Sequence, residues 1–138
     1  MNKTYQIFIS HSSKDAWTSK QIENHIRQIG CKTFLDDGNI DVGDDFEKII
    51  LKEIRNSKEF LVLFTPAAKE RKYIWSELGA AWILKLRIVV VLYGISQEEV
   101  LIDGSNPAYL KNKQWIELND IDKFFHQLKN RVHKDVIK

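Results

Sequence analysis

Residues that punctuate or cross-link a chain are scarce in these 138: one cysteine, two prolines and six glycines. A lone cysteine, Cys31, cannot form an intrachain disulfide, so nothing points to an oxidising compartment. It opens the apolar run Cys31–Leu35 and reads as a small buried hydrophobe rather than a nucleophile beside a base. Charge of one sign is lacking too. Lys and Arg total 21 against 19 Asp and Glu, a formal net charge of +2, and the basic residues are dispersed. That balance argues against a nucleic-acid partner. Long apolar runs are missing: the longest, Ile88–Tyr93, falls far short of the roughly 20 residues that span a bilayer. The N-terminus shows no apolar stretch of signal-peptide length. These absences lead to the expectation of a cytoplasmic, soluble protein with no membrane partner.

What is present suits one domain over residues 1–138. Apolar residues make up 43% and charged residues 29%, and no repeat, low-complexity tract or linker interrupts them. Apolar runs alternate with amphipathic segments. Tyr5–Ser10 reads as a strand. Ala16–Ile29 reads as a helix, with Ile22, Ile26 and Ile29 on one face and Gly30 past its end. Cys31–Leu35 is a second strand and Asp36–Val42 a loop rich in Asp and Gly. Asp44 is expected to start the next helix, with Glu47 as its capping-box partner and Phe46, Ile49, Ile50 and Ile54 as its buried stripe. Phe60–Phe64 is a strand broken by Pro66. Ile74, Leu78, Ala81 and Trp82 stripe a third helix, which assigns Trp82 to the core. Ile88–Tyr93 and Gln114–Leu118 are further strands. Ser96 with Glu99 marks the cap of a short helix, and Ile121, Phe124, Phe125, Leu128 and Val132 mark a closing one.

Strands without polar alternation are buried on both faces, as in a parallel sheet covered by helices. The fold class is therefore α/β: a flavodoxin-like doubly wound sheet of about five parallel strands, order 2-1-3-4-5, with helices on both faces. Ligands of such sheets bind beyond the carboxyl ends of the strands where the order reverses. Here that is the space between the first and third strands. The loops there are Ser10–Asp15 and Thr65–Trp75: Ser10, His11, Ser12 and Ser13 line one side, the start of the helix carrying Glu77 lines the other, and the Asp36–Asp45 loop is expected nearby.

Several chemistries are disfavoured at that position. No G-x-G-x-x-G follows the first strand and no phosphate-binding G-x-x-x-x-G-K-[ST] occurs. A phosphoacceptor site would need aspartates where the strands end in Ile9-Ser10-His11 and Phe64-Thr65-Pro66. Metal-ligand spacing is absent, so no metal is expected. Glu77 remains, one helical turn after Tyr73, on a face that differs from the Ile74–Leu78–Ala81 stripe. Spacing alone leaves two readings open: a functional carboxylate, or a first-turn glutamate favoured by the helix dipole. His11 is either a base or a polar loop residue. Tyr73 and Trp75 either stack on a ligand or pack.

Four segments in order resemble Toll/interleukin receptor (TIR) domains of bacterial type. They are YQIFISHSSKD at Tyr5–Asp15, FLDDGNIDVGDDF at Phe34–Phe46, the helix end and strand of Ile54–Thr65, and WSELGAAWILKLRIVVVL at Trp75–Leu92. Each is short alone; their order carries the resemblance, which runs over roughly Met1–Leu92. The resemblance implies the same flavodoxin-like fold. It implies cleavage of the nicotinamide–ribose bond of NAD, with Glu77 as the essential glutamate and Ser10, His11, Ser12, Asp36 and Tyr73 as substrate-binding residues. The frequent W-x-x-x-E pattern is altered here: Tyr73 holds its first position, and Trp75 stands two residues before Glu77. NAD would be a substrate, so no cofactor is implied. Partners implied are other TIR domains by self-association through the loop Asp36–Asp45, and a second defence-system subunit in a role against phage. A non-catalytic adaptor is the alternative, and a nucleoside deoxyribosyltransferase, which uses a glutamate on a similar sheet, is a third reading that the WSELGAAW context fits less well.

Overall fold

The computed structural model describes residues 5–35, 45–101, 110 and 115–137. Five strands, β1 (Gln6–Ser10), β2 (Lys32–Leu35), β3 (Glu59–Phe64), β4 (Arg87–Leu92) and β5 (Trp115–Glu117), form one parallel sheet in the order β2-β1-β3-β4-β5. The helices are α1 (Ala16–Ile29), α2 (Phe46–Arg55), α3 (Pro66–Lys69), α4 (Lys72–Ile83), α5 (Gln97–Leu101) and α6 (Asp122–Ile137). This is the flavodoxin-like order expected from the sequence, with strand ends shifted by a residue or so.

Alternation along each strand builds two cores from one sheet. Phe8, Phe60, Val62, Val90 and Leu92 meet Ile50 and Ile54 of α2, Ile74, Leu78 and Ala81 of α4, and Val100 of α5. Ile7, Ile9, Leu61, Leu63 and Val91 meet Ile22 and Ile26 of α1 and Phe124, Leu128 and Val132 of α6. All six residues of β3 are buried, which explains their lack of polar alternation. Cys31 is buried beside the second core, as its apolar context implied.

Local signals explain most element ends. Gly30 takes the left-handed conformation (φ 111°) that a side chain rarely adopts, and the N–H groups of Gly30 and Cys31 close on Arg27 and Ile26 carbonyls. Ser96 and Glu99 form a reciprocal capping box: Ser96 N–H donates to Glu99 Oε1 at 3.0 Å and Glu99 N–H to Ser96 Oγ at 3.1 Å. The cap of α2 differs from expectation. Asp45, not Asp44, is the N-cap, accepting from Lys48 N–H at 3.1 Å. Either aspartate satisfies the composition rule, so composition does not select one.

Trp82 also departs from its expected place. It is 45% exposed, next to Ile83 at 71%. Trp82 lies about 40° from buried Leu78 but in the last turn of α4, where the stripe ends. The helix ends at Ile83, and Lys85 just beyond it takes a positive φ of 62° with no glycine to signal it.

One charged group is buried at the end of the sheet away from the switch-point loops. Glu59, 1% exposed, accepts both Arg131 Nε (2.8 Å) and Nη2 (2.9 Å) and the Tyr5 hydroxyl. Burial, followed by the Glu59 hydrogen bond and charge, holds the Tyr5 hydroxyl well above its ordinary range. For Arg131, burial opposes the charge, but the Glu59 hydrogen bond and charge outweigh it and raise its pKa. Among the described residues, no helix is long and apolar enough to cross a membrane.

Candidate functional site

The parallel crossovers bring the carboxyl ends of β1 and β3 side by side, with Ser10 in register with Val62. Ser10 lies two residues beyond Phe8 and therefore faces the α2–α4 side of the sheet. On α4, Ile74, Leu78 and Ala81 lie against the sheet, and Glu77 sits on the flank about 60° from Ile74. The two side chains meet: Ser10 Oγ donates to Glu77 Oε1 at 2.7 Å, with Ser10 2% and Glu77 4% exposed. A carboxylate removed from water to this degree requires polar partners.

The position of Glu77 bears on its alternative reading. Because α4 starts at Lys72, Glu77 is its sixth residue and lies in the second turn rather than the first. Helix-dipole stabilisation is confined to about the first turn. The dipole therefore does not account for a glutamate there.

The loops above the two strands are tied together. His11 and Ser12 are buried. Ser12 Oγ accepts from Lys14 N–H at 3.2 Å and caps a 3-10 turn, Ser13–Asp15. Thr65 Oγ1 donates to Asp15 Oδ2 at 2.5 Å, and accepts from Ala68 N–H at 3.1 Å to cap α3. Arg71 donates through Nη1 to the His11 carbonyl oxygen. Of the aromatics, Trp75 is committed to the interior: its Nε1 donates to Lys69 O at 3.1 Å and its ring packs on Phe64 with centroids 5.2 Å apart. Tyr73 is 44% exposed, its ring meeting Phe46 edge-on at 5.4 Å.

The structure thus brings Ser10 against Glu77, with buried His11 and Ser12 following Ser10 in the chain and partly exposed Tyr73 one turn before Glu77. Asp36 and the rest of the loop before Asp45 lie outside the described residues. Sequence reasoning places the loops Ser10–Asp15 and Thr65–Trp75 here but does not single out Asp15, Thr65 and Arg71 within them. Thr65-Pro66 carried a usable signal, since a capping residue followed by proline marks a helix start. Arg71 carried none. Among the described residues, no group of three or more His, Cys, Asp or Glu could hold a metal ion.

A parallel sheet of this order, with polar side chains at its reversal point, defines a flavodoxin-like α/β domain. More narrowly, the TIR domain family model matches residues 7–131, and the chain belongs to that family. Two relatives carry names that state a reaction. A probable 2′ cyclic ADP-D-ribose synthase, TcpO of Methanobrevibacter olleyae, is 25% identical over 140 residues, covering 96% of this chain and 40% of the relative. A second, BdTIR of Brachypodium distachyon, is 23% identical over 131 residues, covering 94% of this chain and 57% of the relative. The chain therefore spans about half the length of these relatives or less. The TIR domain of the Toll-related receptor TRR-2 from Hydra magnipapillata superposes with a TM-score of 0.70 at 20% identity, covering 98% of this chain and 100% of that one.

Proposed function

We propose that this TIR domain cleaves the nicotinamide–ribose bond of NAD, with Glu77 as the catalytic carboxylate. The observation that carries the reading is the buried carboxylate of Glu77 bonded to Ser10 at the strand-order reversal, beyond the first turn of α4 in which a helix dipole would favour it. Two relatives named as cyclic ADP-ribose synthases support the same substrate.

The chemistry suits a single carboxylate. Nicotinamide is cationic in NAD and leaves neutral, so the departing group requires no proton. Positive charge develops on the ribose carbon as in glycoside hydrolysis, and an adjacent carboxylate stabilises it. Glu77 would hold that charge and accept from a ribose hydroxyl. Attack by water yields ADP-ribose. Attack by an adenine nitrogen or a ribose hydroxyl of the same molecule yields a cyclic isomer. Tyr73 would flank the nicotinamide, a reading favoured by the hold of Phe64 and the Lys69 carbonyl on Trp75. Ser10, His11, Ser12 and Asp36 complete the substrate-binding set, and NAD is the substrate with no further cofactor.

The wider role proposed is a cytoplasmic effector or signal generator in defence against phage, active when TIR domains self-associate, with a second defence subunit as a partner. The test is incubation of the purified chain with NAD at several protein concentrations, followed by product chromatography. Nicotinamide release that rises steeply with concentration and disappears in Glu77→Ala and Glu77→Gln supports the reading. Wild-type activity in folded Glu77→Ala would falsify the assignment of the carboxylate. No release at any concentration would favour a non-catalytic adaptor.

A further inference from the structure

Arg71 occupies the N-cap of α4, with extended φ −90° and ψ 113°. Two local rules disfavour arginine at this position. An N-cap side chain ordinarily accepts a hydrogen bond from a free helix N–H, as Ser, Thr, Asp or Asn do, and guanidinium has no acceptor. The helix accordingly has no side-chain cap. A cation at this end is also opposed by the helix dipole. A residue that breaks local rules points to a compensating use elsewhere.

That use is visible across the crevice. The Arg71 backbone is fixed by its N–H to Ala68 O at 3.0 Å, and its carbonyl accepts from Ile74 N–H at 3.2 Å. Its side chain, half-buried, leaves the helix and donates to the main-chain carbonyl of His11. A single peptide link joins His11 to Ser10, whose hydroxyl donates to Glu77 on the same helix that Arg71 begins. The contacts form a closed circuit: α4 from Arg71 to Glu77, Glu77 to Ser10, Ser10 to His11, and His11 back to Arg71.

We propose that Arg71 is a positioning residue for the crevice: by anchoring the His11 carbonyl it sets the exit of β1, and with it the Ser10 hydroxyl, against the Glu77 carboxylate. The functional half of this inference rests on NAD cleavage at Glu77; the structural half stands on the contacts alone. Guanidinium suits the task because it stays charged at all working pH and its planar fork loses less side-chain freedom per bond than a lysine would. Arg71 does not act on the substrate itself. Its loss should change how well Glu77 is presented rather than how tightly NAD is held. Small displacements of a reacting group cost up to about 100-fold in rate.

The experiment compares Arg71→Met, which keeps the apolar stem, and Arg71→Lys, which keeps a donor, with wild type. Two readouts are taken: steady-state NAD cleavage, and hydrogen–deuterium exchange over residues 11–15. Expected for Arg71→Met are a kcat lower by about 10- to 100-fold, a KM close to wild type, and faster exchange in that segment. Exchange in β3 and α6 should be unchanged. Added guanidinium ion at sub-denaturing concentration should recover part of kcat, and Arg71→Lys should fall between. Unchanged kcat with unchanged exchange overturns the proposal. So does a raised KM at constant kcat, which would make Arg71 a substrate-binding group instead. If the wild-type chain releases no nicotinamide, the NAD reading fails separately and the exchange data decide: faster exchange at 11–15 in Arg71→Met keeps the anchoring role, and wild-type exchange removes it.

Discussion

Replacing Ser10 by alanine removes one hydroxyl from the carboxylate that the proposed chemistry depends on. The bond is 2.7 Å long and both partners are buried, so water does not readily take the place of the hydroxyl. A hydrogen bond to a charged group contributes about 1.5–3 kcal/mol, against about 1 kcal/mol between neutral groups. Glu77→Met keeps the length of the other partner and removes its acceptor. In a cycle of Ser10→Ala, Glu77→Met and the double variant, the coupling energy should therefore be about 1.5–3 kcal/mol, above the roughly 0.3–0.5 kcal/mol scatter of independent sites. The measurement is urea unfolding at pH 7 followed by far-UV circular dichroism. Unchanged m-values would show that neither variant alters the surface exposed on unfolding. A domain of ordinary stability, about 5–15 kcal/mol, leaves room to resolve the difference. In the NAD assay, Ser10→Ala should slow turnover by about 10- to 100-fold if the same energy is expressed in the transition state. A coupling energy under about 0.5 kcal/mol would refute the reasoning, since the contact would then hold no energy in solution.

Arg131→Met should destabilise the domain by about 3–5 kcal/mol, because it leaves buried Glu59 without its cation; adding Glu59→Gln should recover part of the loss, and a change under about 1 kcal/mol in urea unfolding would contradict the pairing. The Cys31 thiol is pushed up to about 12 by burial first and by the Glu59 charge second. Its ordinary value is about 8.5. A raised acid favours folding while it stays neutral, so this contribution is complete below pH about 8.5 and fades as pH climbs toward about 12. Alkylation at pH 8 should accordingly be slow in the native protein and fast in denaturant, and equal rates would show that the burial is wrong. His11→Ala should lower kcat/KM by about 10- to 100-fold, or roughly 1.4–2.8 kcal/mol, and far less than Glu77→Ala, because the leaving group needs no proton. A folded His11→Ala as inactive as Glu77→Ala at several pH values would move His11 into the chemical step.

Residues within about a turn of each other left clear marks in the sequence. Gly30 closes α1, Ser96 and Glu99 cap α5, and the apolar stretches of β3 and β4 announce strands covered on both faces. From those elements and the handedness of crossovers the strand order followed, and with it the crevice where Ser10 and Glu77 meet. The sequence by itself therefore determined the fold class and the strand order, and with them the reversal point at which a site is expected. Tertiary structure alone decided the rest. Asp45 rather than its neighbour caps α2, a choice that composition alone does not make. Trp82 stays exposed although it lies only about 40° from buried Leu78, because it falls in the last turn of α4. Glu77 was placed by the start of α4, which carries no capping residue to mark it. Arg71 to His11, Thr65 to Asp15, and Arg131 to Glu59 join residues 60, 50 and 72 positions apart. Nothing near any of them in the chain specifies such a partner, because the partner arrives only when parallel strands and their crossover helices have set distant loops side by side.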